Sequence, residues 1–387
     1  IVGLAHAFAA AKQGLKVAVF ERNDYAIGAS IRNFGMVWPI GQPQGYLRER
    51  ALKSREIWQE IAIQVGFHLD TCGSLHLAYH PDELAVIEEF VVSESQADVA
   101  LLTPQEVASK SQAVVTDGLL GALWSSTEVT VDPREAIAKI PDFLQEKYQV
   151  DFYFNTLVTG INYPQIEVGR QIFTAEKIFI CSGSDFETLY PDIYQQSGMT
   201  KVKLQMMRTP PQPQGWRLGP SLCGGLTLTH YSSFAHCPSL EKLKTRIATQ
   251  TPHFCQWHIH VMMSQNGLGE LIIGDSHEYG TTLDPFDKDF INQYILDYLQ
   301  GFAKVPHLQI AETWHGIYAK LPGKTEFMAN PTPGVTIINA LSGAGMTLSF
   351  GLAQSLCNLK NILNTESVNT NSSLYYYLTC KKWVNNA

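Results

Sequence analysis

The chain carries several residue groups whose types and spacing could do chemistry. Gly3 sits in a small, apolar stretch, Ile1 to Ala11, and Glu21 ends the apolar run Leu15 to Phe20. Helix, glycine, then a strand ending in an acid is the second half of a dinucleotide-binding βαβ unit, where the acid holds ribose hydroxyls. Arg22 follows directly, and then the string Gly28-Ala29-Ser30-Ile31-Arg32-Asn33-Phe34-Gly35-Met36. Glycine in such a loop lets backbone amides approach phosphate oxygens closely. Near the end, an apolar run to Ala340 leads into Ser342-Gly343-Ala344-Gly345-Met346-Thr347 and a helical pattern from Leu348 to Leu363. A helix starting at such a turn would aim its free amides at an electron-rich group.

Other groups could touch a substrate. Arg208 closes a strand-like run after Lys201 and Lys203, and its guanidinium could bind an oxyanion through two parallel hydrogen bonds. His230-Tyr231, His277, Tyr318 and Lys320 are polar groups of the kind found in pockets, with Lys324 across Pro322-Gly323. His258 and His260 would share a face of a strand, but no acid or cysteine is spaced to complete a metal site, so no metal is expected.

The elements that must hold these groups follow from pattern. A helix is expected over 46–64, a strand over 74–80, and helices over 82–92 and from Pro104. Asp132-Pro133 opens a helix to about Tyr148. Strands follow at Asp151 to Phe154 and Glu176 to Cys181, the latter turning at Ser182-Gly183-Ser184. Leu222–Ser232, Phe254–Met263 and Glu270–His277 read as β-strands, the last two joined by a hairpin at Gly267-Leu268-Gly269. A helix is expected over 286–302.

The chain has 387 residues, 45% hydrophobic and 17% charged, which excludes disorder and suggests two domains. Its net charge of −8 argues against a nucleic-acid surface. No apolar run is long enough to span a membrane. Seven scattered cysteines without a CxxC pair fit free thiols in a reducing, cytoplasmic setting. The first strand and first two glycines of the βαβ unit are not in the sequence, so roughly ten further residues are expected upstream.

Taken in order, Gly3, Glu21-Arg22, the 28–35 string, Val158, Cys181-Ser182-Gly183, Trp314-His315-Gly316 and the 342–351 string resemble the FAD-dependent D-amino-acid oxidase superfamily. Glycine oxidase and sarcosine oxidase belong to it. The strings around Arg32 to Pro39, Met207-Arg208-Thr209 and Gly345-Met346-Thr347 look closest to a bacterial branch proposed to oxidise aminoalkylphosphonates.

The resemblance implies an α/β fold: a discontinuous Rossmann-like FAD-binding domain (1–73, 128–194 and 311–387) plus a β-rich antiparallel substrate domain (74–127 and 195–310). It implies that Glu21 and Arg22 serve the adenosine ribose, that Ser30 and its neighbours contact the pyrophosphate, and that Gly3 is the cofactor-binding fingerprint's third glycine, which permits close helix–strand packing. Arg32, Asn33, Gly35 and Met36 would pass near the isoalloxazine ring. Val158 would hold adenine through its backbone, and Ser182 and Gly183 would cover the ribityl or phosphate region. Gly316, Gly343, Gly345, Met346 and Thr347 would flank the flavin. Arg208, His230, Tyr231, His258, His277, Tyr318 and Lys320 would form the substrate roof.

The implied activity is oxidation of a small amine to an imine by hydride transfer to flavin N5, with O2 or another acceptor reoxidising the flavin. The alternatives are a glycine, sarcosine or D-amino-acid oxidase or dehydrogenase, and a non-catalytic flavin-binding protein. No cysteine lies in 314–318, so the FAD is expected to be non-covalent. Tyr318 stands where glycine oxidase has a carboxylate-binding arginine.

Overall fold

A computed structural model describes residues 1–94 and 98–358. The first helix, Val2–Ala11, buries every residue from Ala5 to Ala11. Its alanines let it lie close against the elements around it, and Phe8 meets Phe350 edge-on at 5.9 Å. Phe350 belongs to Gly345–Asn358, the last described helix, and also packs edge-on against Trp58 at 5.0 Å. Trp58 comes from the helix Tyr46–Val65. At Gly351 a Cβ would fall 2.2 Å from the Arg50 carbonyl, so only glycine lets these two helices approach.

Two parallel strand pairs complete this layer. Ala18–Phe20 pairs with Asp151–Tyr153, and Ile178–Ile180 with Val335–Asn339. All five residues of Val335–Asn339 are buried, as expected of a strand covered on both faces. The beginning, middle and end of the chain therefore build one α/β unit.

The second layer is a nine-stranded sheet. Toward one end of it, Thr200–Arg208 pairs along its whole length with Glu312–Lys320, and on the other side with Glu278–Gly280 and Leu271–Gly274. The order continues through Met262–Gln265, Ser221–Cys223, Ser74–Ala78, Gly121–Ser125 and Val99–Leu102. Every pairing is antiparallel except Ser221–Cys223 with Ser74–Ala78. The helices Pro81–Glu94, Leu240–Gln250 and Asp289–Phe302 cover it, burying Phe90, Leu243, Ile295 and Leu299. Each such side chain contributes about 1.5–3 kcal/mol, which makes the sheet a stiff platform.

Several elements differ from their sequence patterns. Leu222–Ser232 is a strand only over its first residues; 3-10 turns at Gly225–Thr229 and Ser232–Phe234 take the rest. Phe254 lies in the short helix Pro252–Gln256, and the strand begins only at Met262. The run from Glu270 leaves the sheet after Gly274, so His277 lies beyond the strand. The first two runs are buried by packing against helices, not by ladder pairing, and period alone does not separate the two; beyond Gly274 the chain stays tied to 257–260 by backbone bonds from His260, Asp275 and His277. The hairpin at 267–269 is present. Residue 311, expected as the start of the flavin-binding segment, lies just ahead of a strand of the nine-stranded sheet. The last helix begins at Gly345, three residues earlier than its apolar pattern, and 359–363 lie outside the described residues.

Candidate active site

A cleft of about 1410 Å³ opens between Ala18–Phe20 and Ile178–Ile180. Gly3, Glu21, Arg22, Ser30, Val158 and Ser182 all line it. Glu21 accepts from the Asn23 amide at 3.0 Å, which fixes its carboxylate at the strand end. Arg22 is ion-paired to Asp185. The Ser182 hydroxyl donates to the Asp185 carbonyl at 2.9 Å. The Gly183 carbonyl accepts from Asn339 at 2.8 Å, locking the turn to the neighbouring strand.

The loop from Gly28 to Met36 is held from inside. Asn33 donates to the Ala29 and Ser30 carbonyls at 2.9 and 3.0 Å and accepts from the Gly35 amide at 2.8 Å. Its amide shapes the loop, so it has no group left to offer as a free side-chain ligand. Gly35 has φ +72°, and a Cβ there would lie 1.9 Å from the Val131 carbonyl. Met36 is buried in a short strand against Thr130. Arg32 donates to the His315 carbonyl at 3.2 Å, and Gly316 lets the Arg32 backbone close in, since a Cβ would meet its carbonyl at 2.8 Å. A second cavity of about 310 Å³ lies between Arg32–Phe34 and Trp314. The Trp314 indole N–H is buried there without a hydrogen-bond acceptor.

Above the Gly343 turn lies a polar roof. Tyr318 places its hydroxyl oxygen 3.2 Å from the Cβ position of Gly343, and its ring stands edge-on to His277 at 6.4 Å. Beside His277 lie His260 and His230, with ring centroids 5.3 and 4.9 Å away. Tyr231 packs against His230 at 5.1 Å. Lys320 donates to the Tyr279 hydroxyl at 3.3 Å. Burial pushes His277 down to about 4 and His230 well below its ordinary value, so both are neutral at pH 7. Burial also lowers Lys320. Burial tends to raise Asp275, but His260 and His277 outweigh it and hold the carboxylate below its usual range.

The roof differs from its sequence expectation in three ways. His258 stands at its edge: its ring meets Tyr279, the partner of Lys320, at 4.9 Å, and its carbonyl accepts from His277 Nδ1 at 3.1 Å. His258 has φ +45° and is not on a strand, so the HxH spacing does not put both rings on one face. His260 takes its place, and the buried Asp275, which no sequence pattern marks, pairs with His260 Nε2 at 3.0 Å. Arg208 lies elsewhere. It pairs with Glu270 at 2.9 Å and Glu312 at 2.5 Å. Val202 is in register with Tyr318, and Arg208 with Glu312, so Arg208 is six residues along the sheet, about 20 Å from the roof. Two carboxylates already take its charge. The basic run before it is also spent inside the fold, since the buried Lys203 pairs with Asp287 at 2.9 Å.

The C-terminal turn joins roof and cleft. Thr347 accepts from the Trp38 amide at 2.9 Å, and the Met346 carbonyl accepts from the Trp58 indole at 2.8 Å. These bonds fix the start of the Gly345–Asn358 helix, whose first-turn amides have no intrahelical acceptor. A family model described as "FAD dependent oxidoreductase" (DAO) matches residues 1–359. The chain belongs to the DAO family of FAD-dependent oxidoreductases.

The fold of this DAO-family protein is shared with solved structures. Glycine oxidase from Bacillus cereus is 18% identical, with a TM-score of 0.73 over 94% of this chain and 95% of its own. L-proline dehydrogenase from P. horikoshii is 19% identical, with a TM-score of 0.72 over 94% and 92%. Iminodiacetate oxidase from Chelativorans sp. is 16% identical, with a TM-score of 0.70 over 95% of both chains. No curated protein sequence matches.

The residues present suit FAD. The cleft offers an acid at the strand end and a serine at the loop, as a nucleotide requires. Trp314, whose buried indole N–H has no partner, lines a cavity beside Arg32–Phe34, and the Gly345 helix start points free amides at the turn. Cys181 lines the cleft, but burial pushes its thiol up to about 12, so it is a poor nucleophile toward a cofactor. Among the described residues no helix is long and apolar enough to cross a membrane.

Proposed function

We propose that this DAO-family protein oxidises a small amine to an imine, and that the amine is an aminoalkylphosphonate such as 2-aminoethylphosphonate or its N-methyl form. The observation that carries the reading is the roof: two neutral imidazoles, His230 and His277, stand with Tyr318 and Lys320 over the Gly343 turn. Bound FAD would supply the two-electron chemistry, taking a hydride equivalent from the carbon next to nitrogen. Glu21 and Val158 would hold its adenosine end, and Gly345 to Thr347 would set a helix N-terminus against the pyrimidine end of the ring.

The roof residues would orient the substrate. The roof imidazoles are neutral and add no positive charge beside the amine, which must be unprotonated for the carbon to yield its hydride. Tyr318 replaces the arginine clamp of an α-amino-acid oxidase, and Arg208 is already ion-paired to Glu270 and Glu312. Lys320 is the cation nearest the roof and could anchor the phosphonate as a point charge. The imine would hydrolyse to an aldehyde and ammonia or methylamine. O2, a quinone or an electron-transfer protein would reoxidise the flavin, in a cytoplasmic setting.

A second reading, an amino-acid oxidase or dehydrogenase, is favoured by likeness to proteins named glycine oxidase and L-proline dehydrogenase. An anaerobic screen separates the two. Loss of the oxidised flavin's colour with 2-aminoethylphosphonate or its N-methyl form supports the first reading. Bleaching only by glycine, sarcosine, proline or D-amino acids refutes it.

A further inference from the structure

We infer that His230, His260 and His277 form a binding site for one divalent transition-metal ion, of the class of zinc(II) or nickel(II). Each offers one ring nitrogen, and these nitrogens lie within 4.8 Å of one another. A tetrahedral ion with nitrogen ligands at 2.0–2.1 Å needs them ~3.4 Å apart, so His230, whose ring centroid lies 3.7 Å from that of His260, must turn out of that stack to aim its lone pair at the ion. The three residues come from separate segments: the 3-10 turn before Tyr231, the stretch before Met262, and the stretch beyond Gly274. Only the fold brings them together.

The tautomers strengthen the case. The His258 carbonyl can only accept, so the 3.1 Å bond fixes a proton on His277 Nδ1 and leaves Nε2 with a lone pair. His260 Nε2 lies 3.0 Å from a carboxylate oxygen of Asp275, which favours the tautomer with its proton on Nε2 and a lone pair on Nδ1. That Nδ1 is buried and has no hydrogen-bond partner. A buried polar atom without a partner needs an explanation, and a metal ion supplies one. A carboxylate or a backbone carbonyl on the far nitrogen of a ligand histidine is the usual outer arrangement of a histidine metal site, where it fixes the ring and raises its basicity. Both appear here, on two different rings. His230 has no hydrogen-bond partner for its ring among the described residues, so it is free to turn toward the other two.

The local charge is balanced. Asp275 adds a buried negative charge and Lys320 a nearby positive one. Three neutral imidazoles suit zinc, nickel and copper, and not magnesium or calcium, which take oxygen ligands. Three protein ligands leave a fourth position open. On the reading above, that position would take an anionic oxygen of the substrate, in place of the missing arginine clamp. The binding test does not depend on that reading.

The FAD-loaded protein, stripped of metal with a chelator, is dialysed against zinc(II) or nickel(II) and its bound metal and flavin are measured. One ion per chain is expected. His230→Gln, at the partly exposed ligand, and His260→Ala should each weaken binding at least 100-fold with flavin content retained. Asp275→Asn should weaken it about 10- to 100-fold, the range found for outer-shell partners. His258→Ala should leave it intact, because His258 acts through its carbonyl. Absence of a stoichiometric ion in the unaltered protein overturns the site. So does a stoichiometric ion that survives both His230→Gln and His260→Ala. If metal binds as described but no phosphonate bleaches the flavin, the metal site stands and the substrate reading falls.

Discussion

Arg208 offers the sharpest separation between a substrate anchor and a structural charge. Methionine at 208 keeps most of the apolar stem and removes the guanidinium. Breaking a buried ion pair by removing one partner costs about 3–5 kcal/mol. Here the figure must be reduced. The Glu312 side chain is 59% exposed, so its carboxylate rehydrates and its contact adds little. The Glu270 side chain is 13% exposed and keeps Arg134 at 3.2 Å and Asn266 at 2.8 Å. The expected loss is therefore about 2–3 kcal/mol, from the low end of that range. At roughly 2–4 °C per kcal/mol for a large domain, Tm should fall by about 4–12 °C. The paired assays are thermal unfolding of the FAD-loaded protein and steady-state kcat/KM with the amine that bleaches it. Arg208→Met should lower Tm in this range while changing kcat/KM less than about threefold, because the residue lies at the far end of the strand from Tyr318. Arg208→Lys should recover part of the lost stability. A tenfold or larger fall in kcat/KM with Tm unchanged would refute the placement and return Arg208 to the substrate.

Three further outcomes follow from the same geometry. Acidification should destabilise the protein from about pH 6.5 downward: burial lowers His277 and His6 to about 4 and His76 to about 3, so the unfolded chain takes up protons that the folded one does not, and stability present above pH 6.5 is lost toward pH 4. His76, with both ring nitrogens unpartnered between Trp38 and Phe234, contributes to this, and His76→Phe should flatten the fall of Tm between pH 7 and pH 5; an unchanged slope would exclude it. Gly316→Ala sets a Cβ 2.8 Å from the Arg32 carbonyl and should cut retained flavin at least tenfold on gel filtration, whereas full retention would show that the 28–36 loop can shift freely. Acid precipitation should release free yellow cofactor; colour left in the pellet would reveal a covalent bond, with Cys181 the first residue to test.

Much of this protein is local, and the sequence alone determined that part. Small residues before Glu21, the glycine at 35, Asp132-Pro133 at a helix start and the 342–347 turn each specify their own backbone, because capping and positive φ act over a few residues. Those segments appear where the pattern put them, and Gly3, Glu21, Arg22, Ser30, Val158 and Ser182 line one cleft. The roof could not be read this way. Its residues sit where apolar runs stop being strands: a 3-10 turn at His230, a left-handed residue at His258, a break after Gly274. An apolar run records that it is buried, not whether a ladder or a helix buries it, so the alternation that seemed to pair His258 with His260 carried no face. Asp275 gave no signal because its partner is fifteen residues away across a break in the strand. Arg208 was misplaced for the converse reason: its side chain has the right chemistry for an anion, but Glu270 and Glu312 reach it only through antiparallel pairing of distant strands. Local sequence determines which groups a chain can present, and long-range packing determines which of them remain unpaired and face one another.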